Sequence, residues 1–82
     1  MQPLLYFLEV ISINGKRYLF SFREISVVKG RKFSVMTSVD HNIVAFEMKK
    51  DKLGTWRIDR PAPDWIMSEE KKFVEILKAR VM

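Results

Sequence analysis

Apolar and polar side chains alternate along the first sixty residues, in runs separated by short segments rich in turn-forming residues. Alternation with a period of two is typical of β-strands that bury one face. Gly15, Gly30 and Gly54 each lie between two such runs. The pattern predicts an antiparallel meander of five strands, over residues 4–13, 16–28, 31–40, 43–49 and 55–60.

The first reversal has the clearest turn signal. Asn14–Gly15 lies between apolar runs, and this dipeptide accepts the positive φ angles that a type I′ hairpin turn requires. A two-residue turn here places Ile13 opposite Lys16 and Ile11 opposite Tyr18. It also sets Phe7 against Phe22, so that the apolar side chains share one face.

The later reversals are predicted from the same alternation. Two-residue turns at Lys29–Gly30 and His41–Asn42 keep the apolar side chains on one face, as does an odd loop from Lys50 to Gly54. Gly54 is expected in the left-handed conformation. The resulting cross-strand pairs are Val28–Arg31, Phe22–Thr37, Phe20–Val39, Val39–Val44, Met48–Trp56, Phe46–Ile58 and Glu47–Arg57.

The C-terminal segment changes to helical spacing. After Pro61 and Pro63, which cannot donate to a sheet, the sequence SEEKKFVEILKARVM predicts a helix over 69–81. Ser68 is the expected cap. The helix has an apolar stripe that would pack on the sheet, and Trp65 and Ile66 are expected to anchor it. The stripe comprises Phe73, Ile76, Leu77 and Val81.

These elements predict an α+β fold, in which a five-stranded antiparallel meander packs against one C-terminal helix. The 82 residues are expected to form a single domain over residues 1–82. Because there is no cysteine, disulfide bonds and thiolate metal sites are excluded. The run LLYFLEVISI is too short to span a bilayer and contains Glu9. It also lacks the features of a signal peptide, so a cytoplasmic location is expected.

Few residues suggest catalysis. His41 is the only histidine and is interpreted as a polar turn residue, because adjacent side chains in a reversal do not converge on one metal ion. Glu9 falls on the apolar face, where we expect it to reach a tyrosine, a cation or the sheet edge, and Tyr18 is a ready partner. The segment KGRK at 29–32 is interpreted as a solvated turn, because a β run follows it and not the helix that phosphate loops open onto. We therefore expect no enzyme activity, no metal and no cofactor.

The second face of the sheet carries the candidate interaction surface. One helix can cover only one side of the sheet, so apolar side chains remain on the other side, where they mark an interface unless the sheet curls over them. The expected partner is another protein or a second copy of the chain, and neither a membrane nor a small-molecule substrate is indicated. The apolar candidates are Leu4, Tyr6, Leu8, Val10 and Leu19.

Positive charge on the same face supports an alternative. The net charge is +5, and residues 1–60 hold the whole excess, with eleven Lys and Arg against six Asp and Glu. Arg17, Arg23 and Lys32 would lie together with the apolar strip. They favour weak, salt-sensitive binding of nucleic acid, although only Tyr6 is available for base stacking.

Overall fold

The computed structural model describes residues 4–25, 30–59 and 62–81. Five antiparallel strands form one sheet in the order β1-β2-β3-β4-β5, and helices follow at the C-terminus. This is the predicted α+β fold. The elements are β1 (Tyr6–Ile13), β2 (Lys16–Ile25), β3 (Lys32–Val39), β4 (Asn42–Lys50), β5 (Trp56–Ile58), α1 (Asp64–Met67) and α2 (Glu70–Arg80).

The predicted first hairpin is confirmed. Ile13 pairs with Lys16, and Phe7 pairs with Phe22. Asn14 has φ 52° and Gly15 has φ 79°, which are the positive angles that a type I′ turn needs.

The predicted register between β2 and β3 is wrong by two residues. Phe22 pairs with Val35 instead of Thr37, so Phe20 cannot face Val39, and the predicted Val28–Arg31 pair involves a residue outside the described ranges. The described pairs end at Ile25 and Lys32, and residues 26–29 lie outside the described part of the chain. The observed register is supported by Glu24, which accepts a hydrogen bond from Arg31 Nε at 2.7 Å.

The turn between β3 and β4 is also displaced from its predicted place. Val39 pairs with Asn42 and not with Val44, because the two turn residues are Asp40 and His41, with φ 49° and 69°. Asp and His are among the non-glycine residues that most often accept positive φ. The dipeptide can therefore form the tight turn without a glycine, and β4 begins at Asn42.

The last hairpin has the expected odd loop with a different register. Gly54 is left-handed, as predicted, with φ 81°. Met48 pairs with Ile58 and Lys49 with Arg57, so the pairs expected for Trp56, Phe46 and Glu47 are wrong. The loop is held by Asp51 Oδ1, which accepts the backbone N–H groups of Leu53 and Thr55, each at 2.9 Å. The Thr55 bond is the main reason that the pKa of Asp51 is lowered.

Each register error is a shift of two residues, which leaves every side chain on its predicted face. The inner face of the sheet and the helices therefore form the expected core. Phe73 of α2 lies at its centre, with ring centroids 5.0 Å from Phe20 and 5.2 Å from Phe46. The buried apolar residues are Ile11, Ile13, Phe20, Phe22, Phe33, Val35, Phe46, Met48, Trp56, Ile66, Phe73, Leu77 and Val81.

The C-terminal helix begins differently from the prediction. Ser68 does not cap α2: its backbone is helical, at φ −66° and ψ −14°, whereas a capping residue usually has an extended backbone. Its hydroxyl donates instead to the carbonyl of Trp65 at 3.2 Å. The predicted anchors precede α2 in the separate short helix α1, where Ile66 is fully buried and Trp65 lies 5.1 Å from the Tyr18 ring.

Candidate interaction surface

The sheet face turned away from α2, here called the outer face, is apolar at one end. We define the apolar patch by five side chains that are spread over four strands. Val10 is directly opposite Leu19, whereas Met36 is opposite Ser21 and Ala45, and Ile43 is opposite Ser38. Leu8, Leu19, Met36 and Ile43 nevertheless line one shallow depression of about 240 Å³. Their exposed fractions are Leu8 46%, Val10 51%, Leu19 56%, Met36 39% and Ile43 73%.

The apolar residues predicted from the sequence all lie at this face or beside it. Leu8, Val10 and Leu19 belong to the patch, and Tyr6 and Leu4 continue it along β1 as exposed side chains. The sheet does not shield them, since Leu4, Tyr6, Leu8 and Val10 have exposed fractions of 54%, 58%, 46% and 51%.

Two members of the patch were missing from the prediction. Met36 is opposite Ala45, and Ile43 is opposite Ser38, on the two strands beyond β2. The signal that identifies them is the same alternation, since Met36 shares its face with Ser34 and Ser38. Extending the pattern from strand one to strands three and four would have found both.

The predicted basic residues do not form one patch. Arg17 and Arg23 lie on β2, six residues apart, which is roughly 20 Å in a strand. The Arg23 guanidinium lies 5.7 Å from the centre of the Tyr6 ring, a cation–π distance. Arg17 is exposed and has no ion-pair partner within the described ranges.

Lys32 is engaged by carboxylates at the opposite end of the outer face. Its Nζ lies 3.0 Å from Glu47 Oε1 and 3.2 Å from Asp59 Oδ2. The bonds to Glu47 and Asp59 raise the pKa of Lys32. Burial tends to raise the pKa of Asp59, but the bonds to Lys32 and Lys49 outweigh burial and lower it. The charge of Lys32 is therefore balanced within the protein.

The charged segment KGRK is likewise tied to the sheet where it is described. Arg31 is bound to Glu24, which also accepts the backbone N–H of Leu5 at 3.0 Å. The Arg31 bond is the main reason that the pKa of Glu24 is lowered. Gly30 has φ 74°, and Lys29 lies outside the described residues. Arg31 and Lys32 thus both serve the fold as ion-pair partners.

The partner of Glu9 is a cation, one of the expected alternatives, and not Tyr18. Glu9 lies on the inner face opposite Phe20, but its Oε1 accepts a hydrogen bond from Arg80 Nε at 2.8 Å instead of one from Tyr18. The Arg80 guanidinium also lies 4.9 Å from the centre of the Phe7 ring. The sequence could not show this pairing, because it joins the first strand to the last turn of the chain's last helix.

Neither a metal site nor a membrane-spanning helix is found among the described residues. No group of three or more His, Cys, Asp or Glu side chains in the described ranges is arranged to hold a metal ion. Within the same ranges no helix is long and apolar enough to cross a membrane. No protein-family model, characterised protein or solved structure matches the chain.

Proposed function

We propose that this chain is a non-enzymatic interaction module that binds a protein partner through the apolar patch. The observation that carries the proposal is the exposure of five apolar side chains on the sheet face that the helices leave open. Contiguous exposed apolar surface with a polar rim is typical of protein interfaces. The same kind of side chain is fully buried on the inner face, so the patch is a second apolar surface in a domain that already has a core.

The polar residues at the rim of the apolar patch, Arg17 and Arg23, indicate the chemistry of the partner. Arg17 follows Leu19 along the outer face at one side of the patch, and Arg23 lies beyond Ser21 at the other. Complementary potentials are typical of specific interfaces. A surface with an apolar centre and acidic residues around it would therefore fit here. Two copies docked face to face would bring these guanidinium groups toward each other, which disfavours self-association through this face.

Site-specific photo-cross-linking tests the proposal. A photoreactive amino acid placed at Met36 or Ile43 should yield a discrete adduct with another protein in the cells that produce the chain. The cross-linked segment of that protein should contain apolar residues flanked by Asp or Glu. Leu53, which is 90% exposed in the β4–β5 loop, is the matched control position and should give no such adduct.

Charge reversal on the rim provides the second arm of the experiment. Arg17→Glu with Arg23→Glu should reduce the adduct at Met36, because the acidic rim of the partner would then be repelled. Lys52→Glu, on the β4–β5 loop beside Leu53, is the control and should leave the adduct unchanged. Equal labelling from Met36 and Leu53 would refute the proposal.

Nucleic-acid binding through Arg17, Arg23 and Lys32 is the alternative proposal. Its support is the positive charge of residues 1–60 and the exposure of Arg17 and Arg23. The engagement of Lys32 by two carboxylates favours the protein partner instead. If an oligonucleotide is the ligand, removing the two arginines should lower the salt slope of binding by up to about two, and the adducts at Met36 should contain nucleic acid.

A further inference from the structure

We infer that β1 is a docking edge for a second copy of this chain, whose β1 pairs with it antiparallel about a two-fold axis at Leu8. This surface is the backbone edge of the sheet; it shares Leu8 and Val10 with the apolar patch proposed to bind a different protein, but it is contacted through main-chain groups. The inference has two supports. β1 has backbone N–H and C=O groups that point away from β2, and its side chains match those of a second β1 that pairs with it antiparallel.

The hydrogen-bonding pattern of β1 establishes which backbone groups are free. The Glu24 N–H donates to the Leu5 carbonyl at 2.8 Å, so this is a hydrogen-bonded pair of the β1–β2 ladder. Such pairs alternate in an antiparallel ladder, and therefore Phe7, Glu9 and Ile11 also bond to β2. The N–H and C=O groups of the intervening residues point away from the sheet. These outward residues are Tyr6, Leu8, Val10 and Ser12.

The bond at Ser12 confirms this direction. The Ser12 carbonyl accepts a hydrogen bond from Lys72 Nζ of α2 at 2.7 Å, which requires that it face outward. Within the described ranges no other side chain bonds to an outward backbone group of β1. Tyr6, Leu8 and Val10 therefore present an open row of donors and acceptors.

The opposite edge of the sheet, at β5, is protected against pairing with another strand, and β1 is not protected in the same way. β5 has only three residues, and the outward N–H of Ile58 donates to Glu70 Oε2 at 2.9 Å. A short strand and a covering side chain are usual devices against edge-to-edge pairing. β1 has eight residues without proline or lysine, and its one charged side chain, Glu9, is already paired with Arg80.

A second β1 centred on Leu8 gives matching side chains along much of the edge. The outward N–H and C=O groups of one copy then hydrogen-bond to those of the other copy, with Leu8 opposite Leu8 and Tyr6 opposite Val10. On the inner face, Leu5 of one copy lies opposite Ile11 of the other. There it can enter a groove of about 700 Å³ between β1 and α2, whose lining includes Val10, Ile11 and Ile76. Apolar side chains thus meet at Leu8–Leu8, Tyr6–Val10 and Leu5–Ile11, whereas Leu4 meets Ser12 and Phe7 meets Glu9.

The same register is complementary in charge. It places Glu9 of each copy opposite Phe7 of the other, and the Arg80 guanidinium of that other copy lies 4.9 Å from the Phe7 ring centre. Cross-strand neighbours are about 5 Å apart, so each Glu9 carboxylate comes near two guanidinium groups. A register centred on Val10 would instead put Glu9 opposite Ile11. It would also move Ser12, whose carbonyl Lys72 occupies, from the end of the paired segment, opposite Leu4, to a position opposite Leu8.

Pairing at this edge would join the two sheets into one of ten strands. The two-fold axis is perpendicular to the sheet, so both outer faces lie on the same side. The two apolar patches then meet at Leu8 and form a single surface of twice the size. An edge contact of this kind buries little area, and we expect association in the micromolar range or weaker.

Sedimentation of purified protein over a concentration series tests the edge. The mass should rise from 9.7 kDa toward twice that value. Leu8→Pro removes the outward N–H at the axis without breaking a β1–β2 bond, so it should remain folded by far-UV circular dichroism and lose association at least tenfold. Leu8→Thr keeps that N–H and should retain most of the association. A parent that stays monomeric, or equal losses in the two variants, would overturn the inference.

Charge exchange tests the register independently. Glu9→Arg and Arg80→Glu should each weaken association severalfold, and the double variant should restore it. Hydrogen exchange supplies the structural readout: the amides of Tyr6, Leu8 and Val10 should become protected as the concentration rises, whereas those of Phe7 and Glu9 should be protected throughout. Protection that does not alternate in this way would contradict edge pairing.

These outcomes are separate from those of the proposed function. Met36→Lys with Ile43→Lys changes the apolar patch and leaves the edge intact, so the dimer mass should persist in that variant. Loss of dimerisation in it would contradict edge pairing. Conversely, Glu9→Arg weakens the edge contact and changes no residue of the apolar patch, because Glu9 lies on the inner face, so it should keep the cross-link from Met36.

Discussion

Lys32 and Arg31 carry two of the positive charges that make the first sixty residues basic, yet both are bound to carboxylates. Lys32 contacts Glu47 and Asp59, and Arg31 contacts Glu24. Glu24 and Glu47 lie on neighbouring strands, and Asp59 directly follows β5. The sequence alone could not show these partners, because the pairs depend on the registers of the last three hairpins. Exposed arginines such as Arg17 are therefore better evidence for an external partner than the net charge is.

Trp56 allows a direct test of the face assignment at the residue scale. Its side chain is 2% exposed, and its ring meets Phe33 edge-on with centroids 5.4 Å apart. Truncating a buried aromatic residue costs about 3–5 kcal/mol, a large share of the roughly 5–10 kcal/mol expected for a domain of this size. Trp56→Ala should therefore unfold much of the population in thermal denaturation followed by far-UV dichroism.

Fluorescence provides the control for this prediction. With Trp65→Phe as the background, Trp56 is the only tryptophan and its emission should be blue-shifted, as expected in an apolar core. The complementary variant Trp56→Phe retains the half-buried Trp65, whose emission should lie further to the red. Emission from Trp56 like that of free tryptophan in water would show that its burial is wrong.

At the scale of elements, the alternation of side chains predicted the faces of the strands and the composition of the core. It could not fix the register beyond the first hairpin, because a shift of two residues leaves every side chain on the same face. The first hairpin was correct because Asn14–Gly15 specifies its own turn. The later turns are formed by residues with weaker preferences, of which Asp40–His41 is the clearest case.

Glycine substitutions in the β3–β4 hairpin distinguish the observed turn from the one expected from the sequence. His41 has φ 69°, a conformation that costs most L-residues about 1–2 kcal/mol. His41→Gly should raise the free energy of unfolding by about 0.5–1 kcal/mol after the entropy cost of glycine. Asn42 pairs with Val39 as the first residue of β4, and Asn42→Gly should lower it by about 0.5–1 kcal/mol.

Urea denaturation of the two variants measures both effects. Because the substitutions are adjacent and both introduce glycine, each serves as the control of the other. The turn at His41–Asn42 would be supported if Asn42→Gly were the stabilising change, and the observed register of β3 and β4 would then be wrong.

In the whole molecule, the two faces of the sheet differ in exposure, and the two edge strands differ in length and in how far they are covered. The inner face is buried by α1 and α2, and the outer face keeps an exposed apolar patch next to two arginines. One edge, β5, is short and covered by Glu70, whereas β1 is long and, as far as the described residues show, covered only at Ser12, by Lys72. The sequence predicted the apolar strip of β1, but the size of the patch depends on how strands three and four align with it.

In the function proposed above, the apolar patch serves binding and contributes little to folding. The most direct measurement is the free energy of unfolding, by urea denaturation of dilute protein, for Met36→Lys combined with Ile43→Lys. Exposed substitutions usually change stability by less than about 0.5 kcal/mol each, so the double variant should stay within about 1 kcal/mol of the parent. Val35→Ala, on the buried inner face of the same sheet, is the control and should cost about 1–3 kcal/mol. A loss in the double variant as large as that of Val35→Ala would show that the patch is part of the core, and would contradict the account.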